Sequence, residues 1–143
     1  MPERFVHRHL PYLLARASHA LWRGFETQVR AAGLNSLEWR VLATLSDSPP
    51  LTVGQLALEV LAKQPTLTKS LDRLAAQGWV ERRADADDAR RALVALTAAG
   101  RRKAAPLLAA ADLHQQQRLQ ALGLPATTQL RETLQALVAS DDR

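Results

Sequence analysis

Residues 64–97 read QPTLTKSLDRLAAQGWVERRADADDARRALVALT, and this stretch decides the fold. Leu67, Leu71, Leu74 and Ala75 recur at three- and four-residue steps, the spacing of one helix face. Pro65 opens that helix, with Gln64 at the cap position, and Gly78 stops it. Trp79-Val80 begins a strand, DADDAR forms a charged tip, and Leu93, Val94 and Leu96 mark a returning strand. A helix followed directly by a basic β-hairpin is the layout of a winged helix-turn-helix, in which the helix enters a DNA groove and the hairpin grips beside it.

Working outward, VGQLALEVLAK upstream is a short helix with Val53, Leu56, Ala57, Val60 and Leu61 expected to face inward. Before it, Leu51-Thr52 is a short extended piece suited to a third strand, and Ser48-Pro49-Pro50 is a break. SLEWRVLATLSD forms the preceding helix, capped by Asn35 or Ser36 and apolar along Trp39, Val41, Leu42 and Leu45. From Phe5 to about Ala32 the spacing of Leu10, Leu13, Leu14, Ala17, Leu21, Phe25 and Val29 predicts helix, with Pro11 in its first turn and Gly33 at its stop. Downstream, Thr97 caps a long helix to about Leu122, with a kink expected at Pro106. Gly123 and Pro125 punctuate, and Leu130, Leu134, Leu137 and Val138 line a last amphipathic helix.

The fold expected is mainly α with a small β-wing, one domain over 1–143. A winged-helix DNA-binding lobe would occupy 36–97, flanked by helices over 5–35 and 98–141. The flanking helices have apolar stripes but no core of their own. Two copies of the chain would bury them, so they read as a dimerisation layer of a homodimer.

Composition narrows the function. The chain has 143 residues, enough for one domain, with 47% apolar residues and a net charge of +5, which favours an anionic partner. It has no cysteine, which removes disulfides, thiolate metal sites and thiol nucleophiles. The histidines at 7, 9, 19 and 114 are too scattered for a metal cage. No Gly-rich phosphate loop, GxSxG or HExxH occurs, so no catalytic residue, metal or cofactor is expected. With no apolar run long enough for a membrane span, the expected location is cytoplasmic.

On double-stranded DNA, the outward face of the 64–76 helix presents Gln64, Thr66, Thr68, Lys69 and Arg73. Gln can bridge adenine, Thr can approach a thymine methyl or a phosphate, and Lys can reach guanine or backbone oxygen. At the hairpin tip, Arg90 and Arg91 have no role in core packing, and an extended arginine fits a narrow minor groove. Asp88 stands two residues before Arg90, near enough to pair with it or with the wing backbone. Arg82 and Arg83 lie along the strand, where phosphates and plain solvent are both open to them. A winged helix can also serve as a protein-interaction module, but a dense basic wing suits DNA better.

The chain resembles the MarR family of bacterial transcriptional regulators. The resemblance is carried by Leu51-Thr52, by LTKSLDRL over 67–74, by Gly78-Trp79-Val80-Glu81-Arg82, by Asp88-Ala89-Arg90 and by Leu96-Thr97-Ala98-Ala99-Gly100. It implies a homodimer on a pseudo-palindromic operator, usually a repressor and often released by a small ligand, typically an aromatic carboxylate. Arg16, His19, Trp22, Trp39 and Arg40 are the candidates for such an effector site. Arg16 and His19 share a helix face and would hold a carboxylate, while Trp39 would supply a flat wall. A regulator of the same type without any effector is the alternative.

Overall fold

The computed structural model describes residues 1–142. Seven α-helices and three short strands follow in the order α1 (Leu10–Trp22), α2 (Phe25–Ala31), α3 (Ser36–Leu45), β1 (Leu51–Thr52), α4 (Val53–Val60), α5 (Gln64–Ala76), β2 (Val80–Ala84), β3 (Ala92–Leu96), α6 (Ala98–Leu119) and α7 (Leu124–Asp141). The expected fold class, helical with a small β-wing, is the one found. The chain divides into two compact units, residues 22–110 and residues 1–21 with 111–143.

The unit over 22–110 holds the core. Val29 of α2, Val41, Leu42 and Leu45 of α3, Leu56 and Val60 of α4, Leu67, Leu71 and Leu74 of α5, and Val94 of β3 are all buried. Helical spacing placed them on common faces, and burying each such side chain contributes roughly 1.5–3 kcal/mol. The sheet is antiparallel in the order β1-β3-β2. Leu51 pairs with Val94 and Thr52 with Leu93, while Val80 pairs with Leu96 and Ala84 with Ala92. Leu51-Thr52 is therefore the third strand, as its sequence suggested.

Local chemistry sets the helix starts. Asn35 accepts from the Glu38 backbone N–H at 2.8 Å, and Glu38 Oε1 accepts from the Asn35 N–H at 3.0 Å, a reciprocal capping box. Thr52 and Gln55 repeat the arrangement at α4, at 3.1 and 3.0 Å. Thr97 Oγ1 accepts from Gly100 N–H at 3.0 Å at the start of α6. Gly100 is needed here for closeness: a Cβ at this position would lie 2.0 Å from the Trp79 carbonyl oxygen. Lys103 then covers the Trp79 ring with its ammonium 4.6 Å from the ring centroid.

Four expectations are corrected. The helical stretch 5–32 is broken into a 3-10 turn at Phe5–His7, then α1, then α2. The break falls at Gly24, whose φ of 91° no α-helix accommodates. Leu61 does not face inward. It caps α4 in the left-handed region with φ 58° and is 87% exposed, because the helix ends at Val60 while the apolar spacing runs on. Gln64 is the first residue of α5 rather than its cap. Lys63 holds the cap position, with no side-chain hydrogen bond, and Pro65 lacks an N–H that would need one. Finally, α6 ends at Leu119 and a 3-10 turn covers Gln120–Leu122. Pro106 lies inside α6, which runs on past it.

The unit over 1–21 and 111–143 is different in kind. Among its described residues no hydrophobic side chain is buried. Leu10, Leu13, Leu14 and Leu21 of α1 and Leu130, Leu137 and Val138 of α7 are all exposed. His114 Nε2 lies 3.0 Å from the Leu21 carbonyl oxygen. A groove of about 430 Å³, lined by Leu21, Leu119, Leu130, Leu134 and Val138 among others, runs within this unit. No helix among the described residues is long and apolar enough to cross a membrane.

Candidate nucleic-acid interface

Helix α5 buries Leu67, Ser70, Leu71 and Leu74 and leaves Gln64, Thr66, Thr68, Lys69 and Arg73 exposed. All five thus sit on one helix away from the core, as the spacing required. Thr68 Oγ1 donates to the Gln64 carbonyl at 2.9 Å, which orients its methyl and hydroxyl. Arg73 is not free on that surface. Its Nη1 is 3.8 Å from Glu38 Oε1, a carboxylate whose side chain is only 3% exposed. On the neighbouring position, Asp72 Oδ1 accepts from Arg82 Nη2 of β2 at 2.9 Å.

The wing tip is ordered by aspartates. Asp88 Oδ1 accepts from both the backbone N–H of Arg90, at 3.1 Å, and its Nε, at 3.2 Å. The pairing anticipated for Asp88 therefore takes both forms at once. The Arg90 side chain is nonetheless 91% exposed. Asp85 does the same work on the other side. It lies 3.5 Å from Arg91 Nε, and its own N–H donates to the Arg91 carbonyl at 3.0 Å. The sequence alone did not single out Asp85, because DADDARR offers three aspartates to two arginines. Along β2, Arg83 Nε donates to Glu81 at 2.7 Å, so Arg82 and Arg83 both have carboxylate partners.

The residues considered for an effector belong to both units. Phe25 stands between Trp22 and Trp39, with edge-on ring contacts at 5.7 and 5.2 Å, which makes one aromatic cluster in the 22–110 unit. Arg40 Nε donates to the Val60 carbonyl at 3.0 Å and so ties α3 to the end of α4. Arg16 and His19 are exposed on α1 in the other unit, where Arg16 Nη1 donates to the Tyr12 hydroxyl at 2.8 Å. A pocket of about 290 Å³ beside the aromatic cluster is lined by Trp22, Glu26, Val29, Arg30, Leu34 and Asn35, with Ser36.

The same overall fold occurs in solved structures of similar sequence. The crystal structure of the MarR family transcriptional regulator SPO1453 from Silicibacter pomeroyi is 36% identical, with 96% of this chain and 98% of that one covered and a TM-score of 0.84. The chain belongs to the MarR family. A family model described as MarR family matches residues 32–91, from the end of α2 to the wing. The homoprotocatechuate degradative operon repressor of Escherichia coli is 30% identical over 95 residues, 66% of this chain and 64% of that protein. The crystal structure of NadR in complex with 4-hydroxyphenylacetate is 27% identical, covering 96% and 97% of the two chains with a TM-score of 0.85. This MarR-family chain is a transcriptional regulator, and its relatives are regulators rather than enzymes.

Proposed function

We propose that the protein is a cytoplasmic, homodimeric repressor that binds a pseudo-palindromic DNA operator and is released by a small aromatic carboxylate. The observation that carries the DNA reading is the wing tip: Arg90 is 91% exposed while its backbone and Nε are both held by Asp88. A cation whose base is held in advance loses less freedom on entering a groove. In this reading Arg90 enters the minor groove with Arg91 beside it. Gln64, Thr66, Thr68 and Lys69 face the major groove, and Arg73 stands at the far end of the same helix. The homodimer is supported by the 1–21 and 111–143 unit, whose apolar side chains have no cover of their own. The operator symmetry follows from the dimer's two-fold axis.

The effector is supported by the 4-hydroxyphenylacetate held by NadR, and here the Trp22–Phe25–Trp39 cluster offers an aromatic wall. Arg16, His19 and Arg40 are the cationic candidates for the carboxylate. A ligand that binds better to a dimer with unsuitable helix spacing lowers DNA affinity by that preference.

Fluorescence anisotropy with duplex DNA from upstream of the protein's own gene, at two salt concentrations, tests this. Affinity should exceed that for unrelated DNA and fall steeply with salt. Arg90→Ala should weaken it about tenfold with the helical content unchanged, and 4-hydroxyphenylacetate should reverse binding. Equal affinity for unrelated DNA at every bound fragment selected from the genome would sink the reading.

A further inference from the structure

Glu38 is the one buried charged residue among those described, and its position is peculiar. It completes the capping box of α3 with Oε1 on the Asn35 N–H, yet it lies against the recognition helix. A carboxylate taken out of water is costly unless a cation and hydrogen bonds compensate it. Arg73, in the last turn of α5, is that cation, 3.8 Å away. The separation is too long for a hydrogen bond, so the attraction is Coulombic, and the poor hydration of Glu38 strengthens it.

Two consequences follow for Arg73. Its side chain is 67% exposed, but Glu38 offsets part of its charge, so the pair as a whole attracts phosphate less than a lone cation would. Its guanidinium also tethers the C-terminal half of α5 to the N-terminus of α3, while Asp72, next to it, reaches Arg82 of β2 at 2.9 Å. The recognition helix is thus held from two sides by adjacent residues. Lys69, one turn earlier, is exposed and has no such carboxylate. The Asp72–Arg82 pair is exposed and contributes little on its own, whereas the Glu38–Arg73 link involves a buried carboxylate.

We infer that Arg73 is a positioning residue: it sets the angle at which α5 meets DNA through the buried Glu38 carboxylate, and is not itself a phosphate or base contact. This rests on the DNA reading above and corrects the simplest view of the α5 face. The test uses the full chain, a duplex from upstream of its gene, and the variants Arg73→Gln, Glu38→Gln and their double, with Arg90→Ala as reference. A positioning role predicts that Arg73→Gln and Glu38→Gln each lower affinity about fivefold and that the double variant is no worse than either, since neighbours in one pair are non-additive. The slope of log affinity against log salt stays at the wild-type value in all three. Arg73→Lys, which keeps the charge and protects against a misfolded glutamine variant, restores most of the affinity.

If Arg73 instead neutralises a phosphate, Arg73→Gln flattens the slope by about 0.9 and Glu38→Gln leaves affinity unchanged or raises it. That result overturns the inference and leaves the functional reading intact. Wild-type binding that is indifferent to salt would overturn both, and an Arg90→Ala variant with the wild-type slope would count against the wing alone.

Discussion

The two compact units of this chain spend their apolar residues in opposite ways. In 22–110, every helix contributes to a core and the exposed large hydrophobics are Leu58 and Leu61. In 1–21 and 111–143, among the described residues, Leu10, Leu13, Leu14, Leu21, Leu113, Leu122, Leu124, Leu130, Leu137 and Val138 are exposed and none is buried. Both regions read as helical from the spacing of their leucines, so that spacing alone does not tell a helix that completes a core from one that awaits cover. The difference lies in closure. Helices α3, α4 and α5 and the sheet surround a common centre within one chain, whereas the helices of the second unit bury no hydrophobic side chain among the described residues.

Substitutions can break or sharpen that contrast. The largest effect belongs to the core: Leu42→Ala should destabilise the protein by about 3 kcal/mol, seen as a lower urea midpoint, since a fully buried leucine leaves a cavity. Gly100→Ala comes next, at about 2 kcal/mol, because its Cβ would meet a backbone carbonyl at 2.0 Å rather than a side chain that can swing away. Thermal denaturation of the purified variant measures it. In the other unit, Leu130→Glu should leave far-ultraviolet circular dichroism of the winged-helix region nearly intact while sedimentation shifts the proposed dimer to monomer. A Leu130→Glu protein that still sediments as a dimer would mean that α7 is not the buried face. The smallest effect is expected from Arg30→Ala, which removes an exposed 3.4 Å pair with Glu26. It should change stability by less than about 0.5 kcal/mol in the same denaturation assay.

Much of the fold was legible because its signals are local. Asn35 or Ser36 ahead of an apolar run, Leu51-Thr52 between a proline pair and an apolar run, and Gly78 before Trp79 each state a boundary within a few residues. The overall class follows from their order. What escaped lay where a pattern outruns its cause. Apolar spacing continues through Gly24 and through Leu61, but backbone conformation ends the helix at both. The site divides in the same way. Asp88 is two residues from Arg90 and could be matched to it by eye, whereas Glu38 and Arg73 come from different helices and meet only after folding. No pattern along the chain marks a buried carboxylate that also serves as a cap.

Thr52 carries one last implication. It closes the β1–β3 pairing opposite Leu93 and, through its hydroxyl, holds the first turn of α4 at the Gln55 N–H. The wing sheet and the helix-turn-helix therefore share a residue rather than a mere interface. An opening that peels β1 away from β3 also strips α4 of its cap, so amide protons in the two parts should exchange in one cooperative step. The strand that flanks the hairpin and the helix that precedes α5 would then loosen together rather than one at a time.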